Sequence, residues 1–359
     1  MFLRAVPCFT LSIAVAAWGY SPRPDLDAGR YLQALAAADA ELRADPGNAL
    51  ALAARSQALT AMMRLPEALA AGRRAADLNP RLGEALLARA LARAGTAIQQ
   101  KNLGSLRGVS AAMDDLRGAV KLDPGLVAAW MALGLGYEQL PGILGGSTRR
   151  ALECAELVRK LDPGKGSALK GTILSMEGEW TQAEATFGTA LAISPKDPEV
   201  IMSYLDALGS RETRKGLGEE EQKRRLAREA RRLLPAARGS ARALCSVCDA
   251  LIDAGLGEEA WNAALASLSS VDAPSLIHLQ LGKISARTGL HADQGLTFLD
   301  QVLREPLEGG SGGYGTAHWR RGQILKNAGR KEEARAAARA ALAFDAKDAK
   351  ASRLLDELR

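Results

Sequence analysis

Small and apolar residues recur along the chain at helical spacing and in a fixed order. A helix with a small residue near its middle comes first, then a turn that often holds glycine. A second helix follows, spelled Ala-x3-apolar-x2-Ala, and the unit closes on proline. WMALGLGY at 130–137 displays the first helix, and GEWTQAEATFGTALAISP at 178–195 the turn and the second helix. Asp-Pro and related dipeptides at 45–46, 79–80, 123–124, 162–163 and 194–195 punctuate the series, with Pro46 and Pro80 34 residues apart. A fixed period of this length marks stacked helix pairs, each too small to bury its apolar face alone. The pattern predicts an all-α protein, an α-α superhelix of tandem helix-turn-helix units.

The small positions have a mechanical reason. Two helices joined by a short turn pack closely only where a side chain is small, which assigns Gly134, Gly171, Gly282 and Gly322 to the contacts within pairs. Gly178, Gly255, Gly289 and Gly329 stand where a helix ends and a left-handed residue reverses the chain. Proline then stops the second helix and restarts the unit.

With GRYLQALAAADAELRADP at 29–46 and GRKEEARAAARAALAFDA at 329–346, these residues resemble the tetratricopeptide repeat (TPR) family. Trp130, Leu133, Gly134 and Tyr137 match its first-helix signature, and Gly178, Ala183, Phe187, Ala190 and Pro195 its turn and second helix. On this register the array fills 29–346 as a half unit at 29–46 and about eight fuller units, roughly 48–80, 81–124, 125–163, 164–195, 196–235, 241–272, 275–306 and 315–346. Residues 347–359 form a polar-faced capping helix. The half unit lacks its first helix, so that end is covered by residues 18–28, by a second molecule in a homo-oligomer, or by a partner.

The opening MFLRAVPCFTLSIAVAA has one arginine, a short apolar run and small residues suited to cleavage. Residues 1–17 are expected to be a signal peptide and 18–28 a linker, which places the mature chain in the periplasm or outside the cell; the alternative is an uncleaved anchor. Composition agrees with helix: 47% hydrophobic residues against 4% aromatic. The net charge of +6 is spread out, and its densest run, QKRRLAREARR at 222–232, follows Glu219, Glu220 and Glu221 with no interleaved aromatics. It is expected to be a solvated helix face, with no nucleic-acid partner.

Candidate chemistry reduces to turns and packing. PGILGGST at 141–148 lacks the lysine and the preceding strand of a phosphate loop, so Ser147 or Thr148 is expected to cap a helix. Excess length also falls at about 95–108 and 210–221, between paired helices, and at GGSGGYG, 309–315, expected to be a flexible linker. Cys245 and Cys248 lie one turn apart, with Cys248 at the small position; packing is favoured over a redox pair or zinc. His278, His291 and His318 have no nucleophile or metal spacing around them. No enzyme, cofactor or metal is expected.

The TPR resemblance implies a concave groove lined by first helices that holds a peptide or partner helix of another protein. Its inward residues would be Leu87, Leu91, Met131, Leu135 and Glu138, then Lys165, Thr172, Glu199, Met202 and Asp206, then Arg242, Asp249, Lys283, Trp319, Gln323 and Lys326. The chain lacks the lysine and asparagine set by which TPR co-chaperones grip a terminal carboxylate. Met131, Leu135, Arg242, Lys283, Trp319, Gln323 and Lys326 are the candidate partner-binding residues. The expected function is an interaction scaffold in the cell envelope; the alternative is an accessory subunit holding a small apolar or anionic ligand within the superhelix.

Overall fold

The computed structural model describes residues 24–27, 29–100, 103–308, 313–346 and 348–359. The expected signal peptide, and Cys8 within it, lie outside them. The elements are α1 (Pro24–Asp27), α2 (Tyr31–Ala44), α3 (Ala49–Ala61), α4 (Leu65–Leu78), α5 (Gly83–Gln100), α6 (Leu103–Leu122), α7 (Val127–Gln139), α8 (Thr148–Leu161), α9 (Pro163–Met176) and α10 (Trp180–Ile193). They continue as α11 (Pro198–Leu208), α12 (Arg211–Leu217), α13 (Glu219–Ala237), α14 (Ala241–Asp253), α15 (Gly257–Ser267), α16 (Pro274–Thr288), α17 (Ala292–Val302), α18 (Gly313–Asn327), α19 (Lys331–Phe344) and α20 (Ala349–Glu357). Consecutive helices pack in pairs, and α9 touches α7 and α11, as α16 touches α14 and α18, so the first helices stack along one layer of an all-α superhelix. Among the described residues no helix is long and apolar enough to cross a membrane.

Asp-Pro is the most economical joint. Asp162 ends α8 by donating its amide to Val158, and its side chain caps α9 by accepting from the Lys165 amide at 2.9 Å. Pro163 takes the first helical position, where its missing N–H is no loss. Pro235 behaves otherwise: it sits inside the last turn of α13, which runs on to Ala237.

Small residues make the pair contacts. A Cβ at Gly134 would stand 3.1 Å from Cys154 Cβ, and one at Gly171 2.9 Å from the Phe187 ring. At Gly282 it would collide with Leu299. Gly178, Gly255, Gly289 and Gly329 take φ of +84°, +82°, +77° and +75°. In the first full unit the same turn is made by Met63 at φ +58°, and Arg64 donates back to the Leu59 carbonyl at 2.8 Å just as Glu179 does to Leu174 at 2.9 Å. Spacing alone did not single out Met63, because no glycine marks it.

The insertions differ in kind. The excess near 95–108 lengthens α5 and α6 rather than making a loop, and that near 210–221 forms α12. PGILGGST is a short 3-10 turn with Gly145 at φ +90°, and Ser147 caps α8 by accepting from the Arg150 amide at 3.3 Å. Of the stretch at 309–315 expected to be a linker, residues 309–312 lie outside the described ones, while Gly313, Tyr314 and Gly315 belong to α18, and Tyr314 Oη donates to the Glu305 carbonyl at 2.8 Å. That ring needs a wall to pack on, and it finds Phe344 at 6.1 Å between centroids.

Two stability experiments follow. A Cβ at Gly166 would strike the Arg159 backbone, which cannot turn aside as a side chain can, whereas Gly188 has nothing within 4 Å. Gly166→Ala is expected to destabilise by about 1–3 kcal/mol, and Gly188→Ala to stabilise by about 0.5–1 kcal/mol, in urea titrations followed by circular dichroism. Met63→Gly should relieve a left-handed side chain and gain about 0.5–1 kcal/mol; a loss in the same titration would contradict the strain.

Candidate partner-binding groove

The first helices stack along one layer, and most charges on the row expected to line the groove neutralise one another across neighbouring units. Lys165 on α9 bridges Glu199 on α11 at 3.2 Å. Asp249 on α14 is ion-paired to Lys283 on α16 and accepts from Gln280 Nε2 at 2.7 Å. Arg287 reaches Asp253 at 2.8 Å, and Lys326 is paired with Glu357 on the terminal helix α20. Lys283 and Lys326, candidate partner-binding residues, are therefore already matched within the chain. Successive first helices place equivalent positions within salt-bridge reach, so opposite signs find each other before any partner arrives.

Met131 and Leu135 depart further from the expectation. They are 2% and 5% exposed, within one core with Leu87, Leu91 and Ile173, and offer a partner no surface. Apolar side chains at these positions close onto neighbouring helices instead of lining the groove. Trp319 is half-buried against the last core cluster, with the Arg320 guanidinium 5.1 Å and Lys350 5.0 Å from its ring centre. Gln323 keeps a buried Oε1 with no hydrogen bond.

Two arginines stand apart. Among the described residues neither Arg242 nor Arg320 has a carboxylate within ion-pair range, and Arg242 Nη2 is buried without an acceptor. Burial pulls Arg320 down to about 10, against the opposing pull of Asp249. Sequence reasoning missed Arg320, one residue from the Trp319 that was named; only the side-chain geometry separates paired from unpaired cations. On the acidic side, burial and then the neighbouring Asp249 push the Asp206 carboxyl up to about 7. Burial and then Glu177 do the same to Glu138, whose Oε2 has no partner.

The remaining candidates are packing. Cys245 and Cys248 are free thiols whose Sγ atoms face the carbonyls of Leu276 and Ala260 at 3.9 and 3.5 Å. His291 stacks on Trp261 at 4.4 Å and His278 on Phe298 at 5.4 Å, in separate contacts from that of His318 with Phe344. On α13, Lys223, Arg224, Arg225, Arg228, Arg231 and Arg232 are each ion-paired.

No protein-family model matches the sequence, and neither does any curated protein. Solved structures do resemble the fold. Yeast Tom70 is 14% identical with a TM-score of 0.51, over 93% of this chain and 63% of that one. TTC0263, a thermophilic TPR protein of Thermus thermophilus, is 21% identical with a TM-score of 0.45, over 50% of this chain and 91% of that one. Cut9, from the APC/C hetero-tetramer Cut9-Hcn1, is 14% identical with a TM-score of 0.44, over 92% of this chain and 53% of that one. This chain thus spans between half and two thirds of the length of Tom70 and Cut9. With paired helices, small-residue crossings and left-handed turns in register, the chain has the TPR fold, an all-α superhelix.

Proposed function

We propose that the protein is a non-enzymatic interaction scaffold of the cell envelope, holding an acidic peptide or helix of another protein in the concave groove. The observation that carries this reading is the Arg320 guanidinium, desolvated beside Trp319 and without a carboxylate of its own chain among the described residues. A partly buried cation without a counter-ion in ion-pair range carries a desolvation cost that a partner carboxylate offsets, and arginine binds such a carboxylate bidentately. The opening signal-peptide pattern supports the location. The alternative, a small ligand held near Met131 and Leu135, loses its motive because those side chains fill that space themselves. An open hollow of about 550 Å³ lined by α8 residues and Lys170 has most of its charges paired, Arg149 with Glu153 and Lys170 with Glu156, and Lys160 on its rim is exposed to solvent.

Affinity capture from envelope extract with the chain 18–359 tests the reading. A partner retained by wild type and bound at least about tenfold more weakly by folded Arg320→Gln, the loss of one charged hydrogen-bond pair, is the expected result. Equal retention would remove Arg320 from the interface, and capture of nothing by either protein would count against the scaffold.

The groove should also respond to acid. An aspartate free in the unfolded chain titrates near 4, whereas Asp206 in the fold holds its proton up to about 7. The unfolded state therefore releases this proton first as pH rises. The group's contribution is complete below about pH 4 and is lost as pH climbs to about 7. Asp206→Asn is expected to flatten that part of the stability profile and to gain about 1 kcal/mol near neutral pH. Thermal melts of both proteins across that window decide it: parallel profiles would mean Asp206 is ionised in the fold.

A further inference from the structure

The half repeat that begins the array is held from a distance. Arg30 precedes α2 as its N-cap but makes no capping bond, its side chain being paired with Asp25 at 2.6 Å. The first amides of a helix have no acceptor within the helix. Here the Leu32 amide donates to Glu308 Oε2 at 3.0 Å, across 276 positions of sequence, and the Tyr31 backbone bonds the same carboxylate. Glu308 is buried, and its own amide donates to Ser275 Oγ at 3.3 Å. Beside it Gly29, at φ +79°, lets Arg242 Cδ come within 2.6 Å of where a Cβ would be. Tyr31 is 5% exposed, in the field of Arg242, Glu199, Glu308 and Asp272. One stretch at the start of the array thus touches Arg242 of α14 and Glu308 in the segment leading into α18.

We propose that residues 25–27 and 29–32 are a latch that closes in cis onto Arg242 and Glu308, and that a partner segment reaching Arg242 must displace it. The displacement rests on the groove reading above; the latch itself does not. Leu26 and Tyr31 of the latch share a core with Ala34, Leu35, Ala38, Ala54, Ala58 and Leu59, so release withdraws two side chains from that core while Ala34, Leu35 and Ala38 still hold α2 on the first repeat. Tethering keeps it at high local concentration beside its site, so it competes effectively with an incoming segment.

Amide hydrogen exchange on the chain 18–359 reads the latch with no partner present. In wild type the Leu32 amide is expected to exchange more slowly than a free helix-terminal amide. Glu308→Ala should raise the rate at Tyr31 and Leu32 roughly tenfold, the loss of one hydrogen bond, while Glu308→Gln, which keeps an acceptor, restores part of the protection. Glu305→Ala, at an exposed neighbour, should change nothing, and unchanged protection inside α2 reports that each variant is folded. Unprotected wild-type amides would overturn the latch; protection that fades on dilution would assign the contact to a second copy and overturn closure in cis. Once a partner is captured, Glu308→Ala should bind it more tightly. Unchanged affinity with an opened latch would overturn the displacement, whereas failure to capture any partner would count against the groove and leave the latch standing.

Discussion

Two helices joined by a turn of a few residues bury their apolar stripes only if their backbones approach closely at one point, and this array meets that demand anew in each unit. Glycine is the simplest answer, but it is not the only one used. In the first full unit Ser56 takes the position and donates its hydroxyl to the Ala68 carbonyl at 2.7 Å. In α14 Cys248 takes it, with its thiol directed to the Ala260 carbonyl at 3.5 Å. At Gly322 a Cβ would stand 3.3 Å from the Ala334 carbonyl, the same acceptor in its own unit. A small side chain that carries a donor fits where one without would leave a carbonyl facing apolar surface. The crossing requirement therefore explains both the glycines and the residues that replace them.

The same stacking decides how the groove's charge is used. A formal excess of six positive charges suggests a basic surface. Yet units repeat at a spacing that brings equivalent positions of adjacent first helices within salt-bridge reach, so alternating signs neutralise locally, as in Lys165 with Glu199 and Asp249 with Lys283. The charge available for recognition is the remainder after this pairing. It comes down to arginines with no carboxylate in ion-pair range among the described residues, and to carboxyls such as Asp206, which burial and the neighbouring Asp249 push upward.

The fold was legible because its constraint acts on residue type at fixed spacing: glycine at 171 and again at 178, proline at 195, and the same interval in later units. Met63 escaped notice because methionine carries no sign of a left-handed backbone, and the extension of α5 and α6 because helical insertions have no punctuation. The groove was less legible. Position on a first helix indicates which way a side chain leaves the backbone, but not whether a neighbour covers it, and Met131 and Leu135 are covered. Nor does sequence indicate which lysine has found a carboxylate one unit away. The partners of Lys283 and Lys326 lie 34 and 31 positions distant, and only stacking brings them near.

The first and last described helices are held by different physics. At the C-terminus α20 lays Leu354 against Gly322, and Arg335 Nε donates to the Leu358 carbonyl at 2.9 Å, a cap made wholly of neighbours. At the N-terminus Leu26 of α1 covers part of the exposed core, but the amides that open α2 reach across the concavity to Glu308. The amides that open α2 take their acceptor from a distant segment of the chain while its apolar side chains pack on α3, so the two sets of contacts can be lost separately.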